Sequence, residues 1–216
     1  MRLSLFGGGT DLEPYASTYG GICINLAINL RQHFIFGDGG DNVYPQGANP
    51  FFYQAFFQEF DWHPKNVIST SDAPIESGIG SSATAAVCLV AACAKAKGLN
   101  LTKAEIAEKA WDIELNRLNL YGGKQDQYAA AFGEGNFLVF EDKVYRYGMN
   151  RKGIETLVPN LLLFYTGKNR KSASIQEGFR KLRIEQVKHL DKIKDIAYSA
   201  IEGITTGNIE NVGYLL

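Results

Sequence analysis

The chain has 216 residues, enough for one large domain or for one domain and part of a second. Hydrophobic residues make up 45% and charged residues 21%, which excludes a disordered or low-complexity chain. The net charge of −1 argues against a nucleic-acid binder, since the longest basic cluster, Lys168 to Lys171, is short.

No apolar run approaches membrane-spanning length, and glycines and Asp11 arrive too early for a secretory leader, so no membrane association is expected. Cys23, Cys88 and Cys93 are an odd number without a Cys-x-x-Cys pair. They read as reduced, buried thiols in a cytoplasmic protein. His33, His63 and His189 are scattered and show no zinc-ligand spacing.

Arg2 to Phe6 reads as a strand that runs into a glycine-rich turn. Ile22, Ile24, Leu26, Ile28 and Leu30 alternate with smaller or polar residues, the pattern of a half-buried strand. His33 to Phe36 continues or pairs with it, and Gly37-Asp38-Gly39-Gly40 marks a turn. Pro50 to Phe60 is predicted as a helix entered through proline, and Asn66 to Ser71 as a strand.

Pro74 to Ser82 is a loop before the alanine-rich stretch Ala83 to Lys97, a helix apolar on all sides and so expected at a domain centre. Thr102-Lys103-Ala104-Glu105 is a capping box that opens a helix running to about Asn116. Gln125 to Phe132 reads as a further helix. Asn136 to Phe140 and Lys143 to Tyr147 read as a hairpin. Leu161 to Tyr165 is predicted as a buried strand, and Ser172 onward as a long polar helix, with a domain boundary between Asn150 and Val158. The apolar run Val212 to Leu216 has no terminator, so the fold is expected to continue past it. Strands and helices without strict βαβ alternation point to the α+β class.

Four constellations carry chemistry. Gly78-Ile79-Gly80-Ser81-Ser82 stands before the buried helix, where free amides and the helix dipole favour an anion. The serines offer hydroxyls to phosphate or to a metal ion, or serve as a simple N-cap. The loop is not a Walker A motif, because the Gly-Lys-Ser/Thr ending is absent. Glu114 is the second feature. At about 100° per residue it falls on the apolar arc of its helix, between Ala110 and Ala107, while Glu105, Glu108 and Asp112 fall outside. A carboxylate there needs a partner, either a lysine or arginine in a structural role or a metal ion.

In Gly122-Gly123-Lys124-Gln125-Asp126-Gln127, Asp126 opens a helix. It serves either as a residue that favours the helix dipole or as a general base. Arg2 with Gly7-Gly8-Gly9-Thr10-Asp11 offers amides, a hydroxyl and a carboxylate, a set that suits a polyhydroxylated ligand or builds a glycine-rich turn.

Their order carries more than any one of them. Arg2-Leu-Ser-Leu-Phe-Gly-Gly-Gly-Thr-Asp11 resembles the first motif of the GHMP kinases, in the branch acting on heptose 7-phosphate and fucose. Pro74-Ile-Glu-Ser-Gly-Ile-Gly-Ser-Ser82 resembles the family's phosphate-binding motif. Gly122-Gly-Lys-Gln-Asp-Gln-Tyr-Ala-Ala-Ala131 is similar to the catalytic-aspartate segment of the heptose 7-phosphate kinases, and Leu161 to Ile175 to the start of their C-terminal half. Glu76 and Ala83 depart from the pattern, and the family's third, glycine-rich motif is expected beyond Leu216.

The resemblance implies a two-domain α+β fold. Residues 1–150 would form a ribosomal-protein-domain-2-like ATP-binding domain, and 151–216 part of a ferredoxin-like C-terminal domain. It implies a kinase using ATP and Mg²⁺ on a small-molecule sugar or sugar phosphate, foremost D-glycero-D-manno-heptose 7-phosphate at the anomeric hydroxyl. An unphosphorylated sugar such as fucose or galactose, or a non-catalytic binding module, are the alternatives. A homodimer is the assembly allowed for. Asp126 would act on the sugar hydroxyl, with Arg2 beside it and the γ-phosphate. Gly78, Ile79, Gly80, Ser81 and Ser82 would cradle the ATP phosphates, and Ser82 and Glu114 would hold the metal. Glu114 precedes Asp126 by 12 residues, as the family's pattern has it. Gly9, Thr10, Asp11, Gly122 and Gly123 would face the sugar, and Lys124, Lys168 and Arg170 would take its phosphate.

Overall fold

The computed structural model describes residues 1–37, 44–45, 48–74, 77–167, 178 and 182–216. Among them β1 (Arg2–Phe6), β2 (Gly21–Ala27), β5 (Gly135–Phe140) and β6 (Val144–Gly148) form an antiparallel sheet in the order β1-β2-β5-β6. Arg2 stands opposite Ala27, and Asn25 opposite Asn136, with an irregularity between Ser4 and Phe6. A second antiparallel pair joins β3 (Gln32–Gly37) to β4 (Asn66–Ser71). The helices are α1 (Tyr15–Tyr19), α2 (Pro50–Glu59), α3 (Ser81–Ala96), α4 (Lys103–Asn116), α5 (Gln125–Phe132), α6 (Arg151–Leu157), α7 (Ile184–Thr206) and α8 (Ile209–Leu215). This is the expected α+β class.

Strand β2 is buried on both faces rather than half-buried, and it ends at Ala27 instead of reaching Leu30. Ile22, Ile24 and Leu26 pack with Phe6, Phe137, Leu157, Ala197, Ala200 and Ile204 under α6 and α7. The alternate residues Cys23 and Leu138 pack with Ala16, Ala107 and Tyr128 on the opposite face. Small and polar residues at the odd positions are what close helix packing on that face requires, so period-two alternation here marks two buried faces.

The third core is aromatic. Tyr53, Phe56 and Phe57 of α2 meet Phe34, Phe36 and Trp62, and α3 lies against them. Helix α2 begins where the Asn49 side chain accepts the Phe51 amide at 3.0 Å ahead of Pro50. Helix α4 begins at the expected capping box, with Thr102 and Glu105 exchanging bonds. Helix α3 is buried along most of its length, as its composition predicts.

Leu161 to Tyr165 departs from expectation. It forms no strand, and Leu162 and Phe164 are 81% and 79% exposed. No strand among the described residues pairs with it, and the outer edge of β1 is already met by the Ile79 carbonyl, which accepts the Arg2 amide at 3.0 Å. An apolar run states that burial is favourable but not which edge receives it. Of the turn and long helix expected after Gly37 and from Ser172, residues 38–43, 168–177 and 179–181 lie outside the described residues. The described part of the helix is α7.

Candidate active site

Four segments converge at the N-terminal end of α3. Strand β1 delivers Arg2 and the loop 77–80 runs beside it. Helix α5 brings Asp126, and the second half of α4 brings Glu114 beneath Ser82.

Arg2 is the hub. Its Nε pairs with Asp126 Oδ1, and its Nη1 donates to the Gly78 carbonyl at 3.0 Å. One planar guanidinium thus ties the candidate base to the candidate phosphate loop. Gly80 stands between them in the left-handed region (φ +75°), and a Cβ there would lie 3.2 Å from the Asp126 carboxylate. Only glycine lets the loop close this tightly on Asp126.

Helix α3 has Gly80 as its N-cap, with no side-chain cap. The simple N-cap role for Ser81 or Ser82 is therefore not what these serines do. They are the first helical residues. Thr84 closes the turn instead, donating from Oγ1 to the Gly80 carbonyl at 2.8 Å. The Ser77 hydroxyl at the start of the loop is buried with no hydrogen-bond partner among the described residues.

Glu114 is buried as the helical wheel predicts, at 6% exposure. Among the described residues, no lysine or arginine pairs with it. Ser82 Oγ donates to its Oε1 at 3.1 Å, and Gln127 Nε2 to its Oε2 at 2.7 Å. Burial pushes its carboxyl up to about 7, and the Asp126 charge adds to this, against the bonds from Gln127 and Ser82. Gln127 Oε1 is buried and has no partner among the described residues. A hard divalent ion fits this donor set of one carboxylate and one hydroxyl. Mg²⁺ takes few protein oxygens and completes its shell with water and phosphate. No cluster of three His, Cys, Asp or Glu able to hold a metal occurs among the described residues.

The two glycine turns are locked together by Asp11. Its Oδ2 accepts the Gln125 amide at 3.2 Å, and its Oδ1 accepts the Gly9 amide at 3.3 Å. Gly123 packs so closely that a Cβ there would overlap the Asp11 carboxylate, 1.9 Å from Oδ2. Thr10 is fully buried. Its hydroxyl accepts the Ile22 amide at 3.0 Å and lies 2.8 Å from the Gly7 carbonyl it donates to. Gly9 faces Leu190 of α7, which covers this turn.

Lys124 sits between the turn and Asp126. Its ammonium is 2.7 Å from Glu108 Oε2 and 4.4 Å from the centroid of the Trp111 ring. Lys168 and Arg170 lie outside the described residues. Sequence reasoning did not single out Gln125, which accepts from Ser4 Oγ at 3.0 Å, or Gln127, which holds Glu114. The signal for Gln127 was the buried carboxylate itself, which must find a donor when no cation is at hand.

The N-terminal domain model of the GHMP kinases matches residues 50–134. The chain is 31% identical over 232 aligned positions to the D-glycero-alpha-D-manno-heptose 7-phosphate kinase of Campylobacter jejuni, spanning 94% of this chain and 68% of that protein. It is also 31% identical over 99 residues to a galactokinase of Thermosipho africanus, spanning 44% of this chain and 28% of that one. Among solved structures it resembles a D-glycero-D-manno-heptose 1-phosphate kinase from Bacteriodes thetaiotaomicron. That match has a TM-score of 0.77 at 27% identity and covers 100% of this chain and 74% of the other. The fold is the one shared by the GHMP kinases. The chain belongs to the GHMP kinase family.

Proposed function

We propose that this chain transfers the γ-phosphoryl group of ATP to a sugar phosphate, D-glycero-D-manno-heptose 7-phosphate, at its anomeric hydroxyl. The observation that carries the kinase reading is the Arg2–Asp126 pair held against Gly78 and Gly80 at the start of α3. The sugar reading is supported by the similarity of nearly the whole chain to heptose-phosphate kinases.

In this reading the amides from Gly78 to Ser82 hold the ATP phosphates at the helix start, where the dipole favours negative charge. Asp126 orients the sugar hydroxyl and takes its proton. The hydroxyl oxygen bonds to the γ-phosphorus as the bond to the β–γ bridging oxygen breaks, and ADP leaves. Arg2 faces the charge that gathers on the transferred group while keeping Asp126 in place. Ser82 and Glu114 would hold Mg²⁺, which would neutralise charge on the phosphates. Phosphoryl transfer needs positioning and charge neutralisation more than covalent chemistry, and these residues supply both.

Gly9, Thr10, Asp11, Gly122 and Gly123 form the sugar side. Asp11 acts there by fixing the two turns to each other, and Thr10 by tying the first turn to β2. The sugar's own phosphate falls to Lys168 and Arg170. Residues 1–150 carry the ATP site, and 151–216 begin a second domain whose described helices pack on the sheet of the first. The similarity to a galactokinase favours, as a second reading, an unphosphorylated sugar such as fucose or galactose.

ADP release, measured with Mg²⁺ and a panel of sugars and sugar phosphates, separates these readings. Turnover of the heptose 7-phosphate above all others is expected. Turnover of unphosphorylated sugars alone would sink the heptose-phosphate reading. No turnover with any sugar would favour a non-catalytic binding module.

A further inference from the structure

Lys124 is the basic residue two positions before Asp126 in the chain, so it is the natural candidate for gripping a substrate phosphate. Its surroundings give it other work. Glu108 Oε2 holds its ammonium at 2.7 Å, and the face of Trp111 lies under it at 4.4 Å. Each partner also holds a second point of the same segment. The Trp111 indole N–H donates to the Gly122 carbonyl at 2.9 Å, and the Tyr128 hydroxyl donates to Glu108 Oε1 at 2.7 Å. Tyr128 is almost fully buried.

Two residues one helical turn apart on α4 therefore fasten three points of the chain: before Asp126 at Gly122 and Lys124, and after it at Tyr128. A carboxylate whose two oxygens are taken by an ammonium and a phenol, beside an indole that uses both its face and its N–H, makes a clamp of mutually dependent bonds. Asp126 lies inside the clamped span, and a displacement of about 1 Å at a reacting group costs about 10²-fold in rate.

The geometry points to Lys124, Glu108 and Trp111 as positioning residues that fix Asp126, with Lys124 turned to Glu108 and not to a substrate phosphate. This rests on the kinase reading above and deepens it. Recognition of a phosphorylated sugar then lies with other residues.

The test uses the whole chain and three variants, Lys124→Met, Glu108→Gln and the double variant, each checked for cooperative unfolding. Two readouts are taken. The first is backbone amide exchange over residues 122–128, which is independent of turnover. The second is the separation of kcat from KM for the best sugar acceptor of the panel.

The clamp predicts faster exchange in that span in both single variants and no further rise in the double. It predicts that kcat falls about tenfold in each single variant, with KM for the sugar within about twofold, and that the double variant is no worse. A phosphate-binding lysine predicts the opposite. In that case KM for phosphorylated acceptors rises in Lys124→Met, KM for unphosphorylated ones stays, and Glu108→Gln is neutral. That pattern, or exchange unchanged in either single variant, overturns the clamp. If the unaltered chain turns over no sugar, the kinase reading fails by itself, and the exchange readout alone then decides the clamp. Trp111→Phe, which keeps a ring under Lys124 but loses the bond to Gly122, is expected to raise exchange at the Gly122 end more than at Tyr128.

Discussion

Gly80 concentrates the demands of the site in one backbone position. It must take a positive φ to turn the chain into α3, and it must leave room for the Asp126 carboxylate. Gly80→Ala is therefore expected to cost about 1–2 kcal/mol through the backbone alone. Its Cβ also pushes on Asp126, so kcat should fall about 10–100-fold. Urea unfolding and steady-state turnover measure the two effects. An unchanged kcat in a folded variant would remove Gly80 from the account.

At this scale the sequence was legible where residue type and order coincide. Of the residues singled out, Arg2 pairs with Asp126 and Ser82 bonds to Glu114. Glu114 was legible as buried from its place on the helical wheel. Its partners were not, because periodicity says which face is inside and not which polar group waits there. Thr10 and Asp11 show the same limit. Their types suit a polyhydroxylated ligand, yet Thr10 bonds the main chain of Gly7 and Ile22, and Asp11 that of Gly9 and Gln125.

Among the elements, α3, α4 and α5 form the unit that carries the site, and α2 is tied to it by charge. Glu59 at the end of α2 pairs with Lys109 of α4 and with Arg117 just after it. Partial burial raises the Glu59 carboxyl, but the bonds and charges of Lys109 and Arg117 outweigh this and hold it below the ordinary 4.5. A depressed carboxylate contributes stability above the unfolded value, and loses it as pH falls through the folded value. The stability difference between the natural chain and Glu59→Gln should thus be full near neutrality and shrink below pH 4.5. Urea midpoints across that range give the check. A difference that stays constant down to about pH 3 would mean the pairs do not persist in solution.

Strand and helix positions were mostly legible here, because Pro50, the Thr102 capping box and the glycines mark them. Leu161 to Tyr165 was not. Its composition is that of a strand, but a strand exists only through a partner, and hydrophobicity does not name one.

For the whole molecule, the sheet is the shared wall. One face carries the helices of the site. The other is covered by α6, α7 and α8, so residues after 150 complete the core begun by β1 and β2. Ile204 is nearly fully buried among them, and Ile204→Ala should cost about 2–5 kcal/mol, a large part of a domain's stability. Equilibrium unfolding measures it, and a loss below about 1 kcal/mol would mean that α7 is loosely held. Helix α7 also reaches the site. Leu190 covers Gly9, and Asp191 accepts the Tyr15 hydroxyl at 2.6 Å. This long-range docking had no signature in the sequence, where α7 reads only as a polar helix.

The central claim is that Asp126, held by Arg2 against the phosphate loop, acts on the acceptor hydroxyl. Its most direct test is single-turnover formation of phosphorylated sugar, followed by phosphorus NMR in the natural chain and in Asp126→Asn, with nucleotide binding measured in parallel. The account predicts that the variant binds Mg²⁺–ATP within a few-fold of the natural chain and forms product about 10²–10⁴-fold more slowly. Product formation at an unchanged rate in Asp126→Asn would contradict it.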